Sequence, residues 1–376
     1  MLTALLMIPM ATASDDILFV GNSYTISNNL PATIAAVYEA AGSSATTAKV
    51  ASGGLTLASH AERAADEGSA WHTKLVTEAA DREWVVLQDQ SQVPGFPHTE
   101  SMWIASRDGA QYLNGLVADA GAETVFFLTW GYRDGDSMNE WMYPDFTAML
   151  GRISDGYAAY AAACTTEERT AWVAPVGHAF AVIHDDILSG GEEPTTAGSL
   201  FHRLYSSDGS HPSALGTQLA AYVLYASLTG ETPIGLPAPS GIEADVATAL
   251  QEAAASAVFS TTDDFEFPWE TSGETADDPE DDTATEPEEG GEDSGDDGGL
   301  EGGDSGDTED HADGNDDDGD AGTAGPEGSA SDEVTASPST DDTKGGCSAL
   351  GQRSGHSRFT PWWAATLLVG ARRRRR

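Results

Sequence analysis

Five short apolar runs, each closed by turn residues and separated by stretches of helical character, constrain this chain's fold more than any other feature. Ile17–Val20, Thr46–Ala51, Trp84–Leu87, Thr124–Thr129 and Trp172–Val176 read as strands. Trp84-Val-Val-Leu87 contains no charged residue, as expected of a strand buried on both faces. Between the runs, Leu30–Ala41, Ala58–Ala80, Trp103–Ala120 and Glu140–Ala163 read as helical, and Ser213–Thr229 and Ile242–Ala257 follow. Leu30–Ala41 has Asn28 and Asn29 as cap candidates, Pro31 near its start and Gly42 past its end. Strands alternating with helices predict an α/β fold whose parallel sheet is covered on both faces, because crossovers are right-handed. In such sheets reactive groups gather beyond the carboxyl ends of the strands. Ser23, Gly53-Gly54, Gln88, Gln90 and Trp130–Arg133 all fall there.

The chemistry follows from which residues stand at those ends. Gly21 permits a sharp turn after the first strand, so that Ser23 projects at the edge of the sheet. A serine hydroxyl is a poor nucleophile until a base takes its proton, and Ser23 alone reads better as a turn or cap residue. Asp208-Gly-Ser-His211 supplies a base and an acid on one turn, just before Pro212 and Ser213 open a helical pattern. A spacing of three lets the Asp208 carboxylate reach the imidazole nitrogen that faces away from the serine, fixing its tautomer. An oxyanion would also need donors. Gly53 or Gly54 after the second strand offers backbone N–H groups, and Gln90, or Gln88 in its place, offers a side-chain amide after the third. Trp130, Tyr132 and Arg133, after the fourth strand, are candidates for lining a substrate cleft, although Trp130 also suits the core.

In order, Gly21-Asn-Ser23-Tyr-Thr25, Ser52-Gly-Gly54, Leu87-Gln-Asp-Gln-Ser91 and Asp208-Gly-Ser-His211 resemble the blocks of the SGNH (GDSL-type) hydrolases, over nearly all of Asp16 to Thr229. The resemblance implies a flavodoxin-like three-layer sandwich with a five-stranded parallel sheet. It implies a serine hydrolase acting on carboxylic esters, on O-acylated carbohydrates or lipids, with no metal or organic cofactor. It places Ser23, Asp208 and His211 as the catalytic residues and Ser23, Gly53 and Gln90 at the oxyanion hole. Two positions depart from the pattern. Asn22 stands for the usual Asp, and in the third block Gln90 stands for Asn and Gln88 for Gly. The Gly-Asn-Ser start, Gly53-Gly54 with His60, and Thr129-Trp130-Gly131 resemble one subgroup of that family.

Other readings fit less well. An α/β-hydrolase elbow needs a glycine where Thr25 stands. His178 and His184, followed by Asp185-Asp186, lack the helical i, i+4 spacing of a zinc site. A non-catalytic carbohydrate-binding or adhesion protein of the same fold remains as the alternative reading.

Composition sets the boundaries. Residues 261–346 hold 32 of the 62 acidic residues against one base, Lys344. With so little apolar surface to offset ordering entropy, this acidic linker is expected to be disordered and extended. Its Asn315-Asp-Asp-Asp-Gly-Asp320 stretch fails the EF-hand register, since Gly314 falls at the first ligand position. The domain at 14–260 carries 30 Asp and Glu against 9 Lys and Arg, a formal charge of −21. Such a surface repels nucleic acid and anionic membranes. Two cysteines cannot form a disulfide framework, and Cys164, in an apolar stretch, reads as a small buried hydrophobe.

The ends read as addresses. Residues 1–13, apolar from Leu2 to Met10 and closing on Ala11-Thr-Ala13, resemble a secretory signal peptide. In the segment 347–376, Phe359–Ala371 is apolar and runs into Arg372–Arg376. It spans only ~20 Å as a helix against a ~30 Å hydrocarbon core, and the arginines would stay cytoplasmic. Cys347, the apolar stretch and the arginine terminus together resemble the sorting tails of myxobacterial surface proteins. That resemblance implies a sorting machinery as partner, processing or lipidation at Cys347, membrane contact through this segment alone, and a place at the surface or outer envelope of a Gram-negative bacterium.

Overall fold

The computed structural model describes residues 14–80, 82–260 and 265–270. The expected signal segment, most of the acidic linker and the C-terminal segment with Cys347 lie outside the described residues. Five strands, β1 (Asp15–Gly21), β2 (Ala45–Ala51), β3 (Trp84–Leu87), β4 (Glu123–Phe127) and β5 (Trp172–Ala174), form one parallel sheet in the order β2-β1-β3-β4-β5. This is the flavodoxin-like α/β architecture expected. Ile17 to Val20 in β1 and Val85 to Leu87 in β3 are buried, since helices cover both faces of the inner strands.

On one face lie α2 (Leu30–Ala40), α6 (Val176–Ser189) and α7 (Ala214–Thr229), with α8 (Ala244–Phe259) packed on α6 and α7. On the other lie α3 (Leu57–Ala65), α4 (Ser101–Asp119) and α5 (Phe146–Cys164). A one-turn helix, α1 (Ser23–Ile26), leaves the end of β1. Because β1 sits between β2 and β3, the chain runs to one side of it and then to the other. That reversal opens a crevice beyond the carboxyl ends of β1 and β3, where ligands bind in such sheets.

Several expectations need correction. The stretch Ala58–Ala80 is not one helix: α3 ends at Ala65, and a separate turn runs Ala70–His72 into a π-type turn at Thr73–Thr77. Asp66, Gly68 and Ser69 break the run, Ser69 accepting from His72 N to start the second piece. The helix expected from Glu140 begins only at Phe146, where Asp145 caps Ala148 N at 2.8 Å; Pro144 just before it disfavours helical backbone at Tyr143. Asn28 and Asn29 adopt left-handed φ of 51° and 56° and cap nothing with their side chains. Asn28 instead donates to Pro212 O (3.1 Å) and Thr217 Oγ1 (2.9 Å), fastening the turn after β1 to the start of α7. Helix α6 was not expected at all. Cys164 is buried, and burial pushes its thiol up to about 12. Among the described residues, no helix is long and apolar enough to cross a membrane.

Candidate active site

Parallel register sets the geometry of the sheet edge. Gly21 of β1 is level with Ala51 of β2, and Val20 with Leu87 of β3. Ser23 and Gly53 each lie two residues beyond a paired position, on strands ~4.8 Å apart. Ser23 is the first residue of α1, where a helix leaves its N–H groups without intrahelical partners. The glycine at 21 is needed for space, since a Cβ there would meet Gln88 Oε1 at 2.7 Å and overlap Thr25.

His211 Nε2 stands 2.9 Å from Ser23 Oγ, and its Nδ1 stands 2.7 Å from Asp208 Oδ2. The structure thus brings together the three side chains singled out, across 188 residues of sequence. A carboxylate only accepts, so Nδ1 carries the proton and Nε2 is free to receive one from the hydroxyl. Asp208 Oδ1 accepts from Ser210 N and His211 N, both at 2.9 Å, folding the segment into a tight turn that presents the ring. Partial burial pushes the Asp208 carboxyl up, but those two amides and the His211 ring outweigh it and hold it at about 2.

Behind His211 runs an aromatic column that sequence reasoning missed. Tyr24 meets the imidazole edge-on at 5.5 Å, Trp130 stacks on Tyr24 at 4.6 Å, and Phe180 stacks on Trp130 at 4.5 Å. Trp130 is fully buried, which removes it from the cleft lining suggested above. Its Nε1 donates to Ser210 O at 3.0 Å, so it supports the acid–base turn from behind. The four rings come from four separate segments, and no local periodicity links them.

Asn22, buried beside the serine, joins three strand ends. Its Nδ2 donates to Leu55 O (3.1 Å) and Asp89 O (3.0 Å), while its Oδ1 accepts from Tyr24 N (3.2 Å) and Gln88 Nε2 (2.8 Å). An aspartate could accept the second pair of bonds but donate neither of the first. Gln88 Oε1 returns the contact, accepting from Asn22 N (2.9 Å) and Thr25 Oγ1 (3.0 Å). The departures at 22 and 88 are therefore complementary, each amide serving the other.

Gln90 does not fill the place suggested for it. Its Oε1 accepts from Gln92 N (2.8 Å) and Val93 N (3.2 Å), and its Nε2 donates to Gln92 Oε1 (3.1 Å) and Ser91 Oγ (3.4 Å). The side chain closes its own turn, so neither Gln90 nor Gln88 holds a spare donor toward an oxyanion. Gly53 and Gly54 are exposed, and Gly54 adopts a φ of 70° that favours glycine. Tyr132 is half-buried with its hydroxyl 2.8 Å from Ser91 Oγ. Arg133 packs against Gly209 and pairs with Asp134 at 2.6 Å, while its N–H donates to Gly209 O at 2.8 Å.

Two buried groups support the site. Asp89 accepts from Leu57 N (2.8 Å), Gln90 N (2.8 Å) and Tyr160 Oη (3.0 Å), yet burial outweighs these donors and raises its carboxyl to about 6. His60 receives the Trp71 indole proton on Nδ1 at 2.7 Å, and burial, then the Arg63 charge, lowers it to about 4. Among the described residues no cluster of three or more His, Cys, Asp or Glu is arranged to hold a metal ion. His184 pairs with Asp185 at 2.7 Å and His178 Nε2 stands 2.9 Å from Ser154 Oγ.

No protein-family model matches the chain, and no curated protein matches it. Solved structures do. A DUF4886 family protein from Bacteroides uniformis is 18% identical with a TM-score of 0.53, the match covering 65% of this chain and 95% of that one. That likeness shows a shared fold. A protein assigned as an SGNH hydrolase from Slackia heliotrinireducens is 28% identical with a TM-score of 0.40, over 57% of this chain and 98% of that one. A psychrotrophic esterase from Pseudoalteromonas is 13% identical with a TM-score of 0.35, over 57% and 96% of the two chains.

Proposed function

We propose that the chain is a serine hydrolase of the SGNH type, in the subgroup with a Gly-Asn-Ser start, that cleaves carboxylic esters through an acyl-enzyme. The observation that carries this reading is the continuous hydrogen-bond line Asp208–His211–Ser23 at a sheet edge, at 2.7 and 2.9 Å. Ser23 Oγ attacks the ester carbon while His211 Nε2 takes its proton, and Asp208 steadies the imidazolium. The oxyanion lies against the N–H groups of Ser23 and Gly53, which follow the carboxyl ends of β1 and β2. As the intermediate collapses, His211 passes the proton to the leaving alcohol oxygen and the acyl group stays on Ser23. Water then attacks that acyl carbon with His211 again as base, releasing the acid and restoring the serine hydroxyl.

The test is turnover of ethyl acetate and p-nitrophenyl acetate by the full chain beside Ser23→Ala and His211→Ala. The reading expects rates to fall ~10³-fold or more in both variants. Comparable turnover in all three proteins would reject it, and no turnover in any of them would leave a binding protein of the same fold. Export and attachment at the cell surface, with processing at Cys347, belong to the proposal on sequence pattern alone. Fractionation of cells producing the wild type and Cys347→Ser checks them, the variant losing its surface attachment.

A further inference from the structure

One buried imidazole close to the oxyanion donors takes no part in the chemistry proposed above. His60, on α3, has no exposed surface, and its Nδ1 accepts from the Trp71 indole N–H at 2.7 Å. A neutral imidazole that accepts at one nitrogen carries its proton on the other. His60 Nε2 therefore bears the N–H. That group is buried without a full hydrogen bond of its own, and the backbone group it approaches is that of Gly21. Burial, then the Arg63 charge, lowers the ring to about 4, so this tautomer persists at neutral pH.

The break in the helical stretch after α3 serves this pair. Eleven residues separate His60 from Trp71, and an unbroken helix would set them about 16 Å apart along its axis. Instead the chain folds back. Ser69 Oγ donates to Arg63 O, His72 Nδ1 stands 2.9 Å from Ala64 O, and Trp71 returns to His60. The Arg63 guanidinium covers the Trp71 ring at 4.7 Å.

Gly21 O is the atom on which both proposed oxyanion donors depend. It lies two residues before Ser23, and it accepts from Ser52 N, one residue before Gly53, at 3.3 Å. That bond is long for an N–H···O contact and holds the two strand ends weakly by itself. The other side of the same peptide is already fixed, since Asn22 N donates to Gln88 Oε1 at 2.9 Å. The His60 Nε2–H is the further donor toward this oxygen, and it completes the junction between β1 and β2.

Resting on the ester-hydrolase reading, we infer that His60 is a positioning residue of the oxyanion hole. Its Nε2–H braces Gly21 O and so fixes the spacing between the N–H groups of Ser23 and Gly53, while Trp71 locks the tautomer that donates. Fully buried, His60 acts through the backbone.

The experiment uses the full chain as wild type, His60→Gln and His60→Asn, with p-nitrophenyl acetate as substrate. A glutamine amide can place its NH2 where Nε2 stands, whereas the shorter asparagine reaches only the Nδ1 position. His60→Asn should lower kcat about 10- to 100-fold with KM within about twofold, because a displaced oxyanion donor weakens the transition state alone. His60→Gln, which keeps the donor, should recover kcat to within about fivefold of wild type. Ser23 Oγ adds to the carbonyl carbon of trifluoroacetone, passing its proton to His211 and leaving an oxyanion. The affinity of that inhibitor should therefore fall in step with kcat/KM across the three proteins. No loss in His60→Asn, equal losses in both variants, a loss carried by KM, or an unchanged trifluoroacetone affinity would each overturn the inference. A wild type that turns over no ester rejects the hydrolase reading, and nitrogen NMR of the imidazole then decides the brace. A protonated, slowly exchanging Nε2 supports it, and a protonated Nδ1 overturns it.

Discussion

Changing Asn22 to Asp would restore the more usual Gly-Asp-Ser, yet this structure makes it a damaging substitution. The side-chain NH2 donates to Leu55 O and Asp89 O at 3.1 and 3.0 Å, and Asn22 is 3% exposed. A carboxylate keeps the bonds from Tyr24 N and Gln88 Nε2 but faces two carbonyl oxygens with an acceptor. Each lost bond costs about 1 kcal/mol net, and placing a buried anion against two carbonyl dipoles adds at least a similar amount. The sum is about 3 kcal/mol, or a fall in Tm of about 6–12 °C for a domain of this size. Protonation gives the acid an O–H to donate, so the deficit should shrink as pH falls from 7.5 to 5. Urea and thermal unfolding of both proteins at the two pH values measure this. Equal stability at pH 7.5, or a deficit that grows on acidification, would refute the account of Asn22 as the joint between three strand ends.

Other expectations follow from single contacts. His60, lowered to about 4 from 6.5, binds fewer protons folded than unfolded between those values, so its contribution falls by about 3 kcal/mol as pH drops through that window. Asp89, raised from 3.8 to about 6, binds more protons folded than unfolded, and its contribution rises by a similar amount over nearly the same range. The two nearly cancel, so in His60→Gln stability relative to wild type should climb as pH falls from 6.5 to 4, read by urea midpoints. Asp208, held at about 2, contributes above the ordinary 3.8 and loses its contribution as pH falls toward 2. Trp130→Phe keeps a ring in the column but leaves Ser210 O without its 3.0 Å donor; unfolding should show a loss of about 1–3 kcal/mol, and steady-state kinetics a lower kcat at similar KM. Gly156→Ala drives a Cβ into the Pro94 backbone, and overpacking of that kind should lower stability by about 1–3 kcal/mol on thermal unfolding.

Much of this architecture was legible because the signals are local. Trp84–Leu87 is apolar throughout and forms β3 with those same ends. Asp208 and His211 share one turn, so their pairing needed no knowledge of the fold. Helix α6 starts at Val176, where the apolar run of the fifth strand merges into it, although Val176, Ala179, Phe180 and Ile183 follow the helical period and are buried. Gln90 misled because strand register sets how far along the edge a residue lies, and not where its side chain turns. The rest depends on contacts between distant segments. Nothing local announces that Trp130 stacks between Tyr24 and Phe180, or that Asn22 and Gln88 exchange amide bonds across 66 residues.

The most direct measurement is labelling of the folded full chain with a fluorophosphonate, with the adduct located by peptide mass spectrometry. Phosphonylation needs a serine activated by a neighbouring base. Stoichiometric modification of Ser23, abolished in His211→Ala and slowed in Asp208→Asn, is the predicted result. A chain that stays unlabelled at residue 23, or labels equally well without His211, would contradict the claim that these side chains work as one nucleophile.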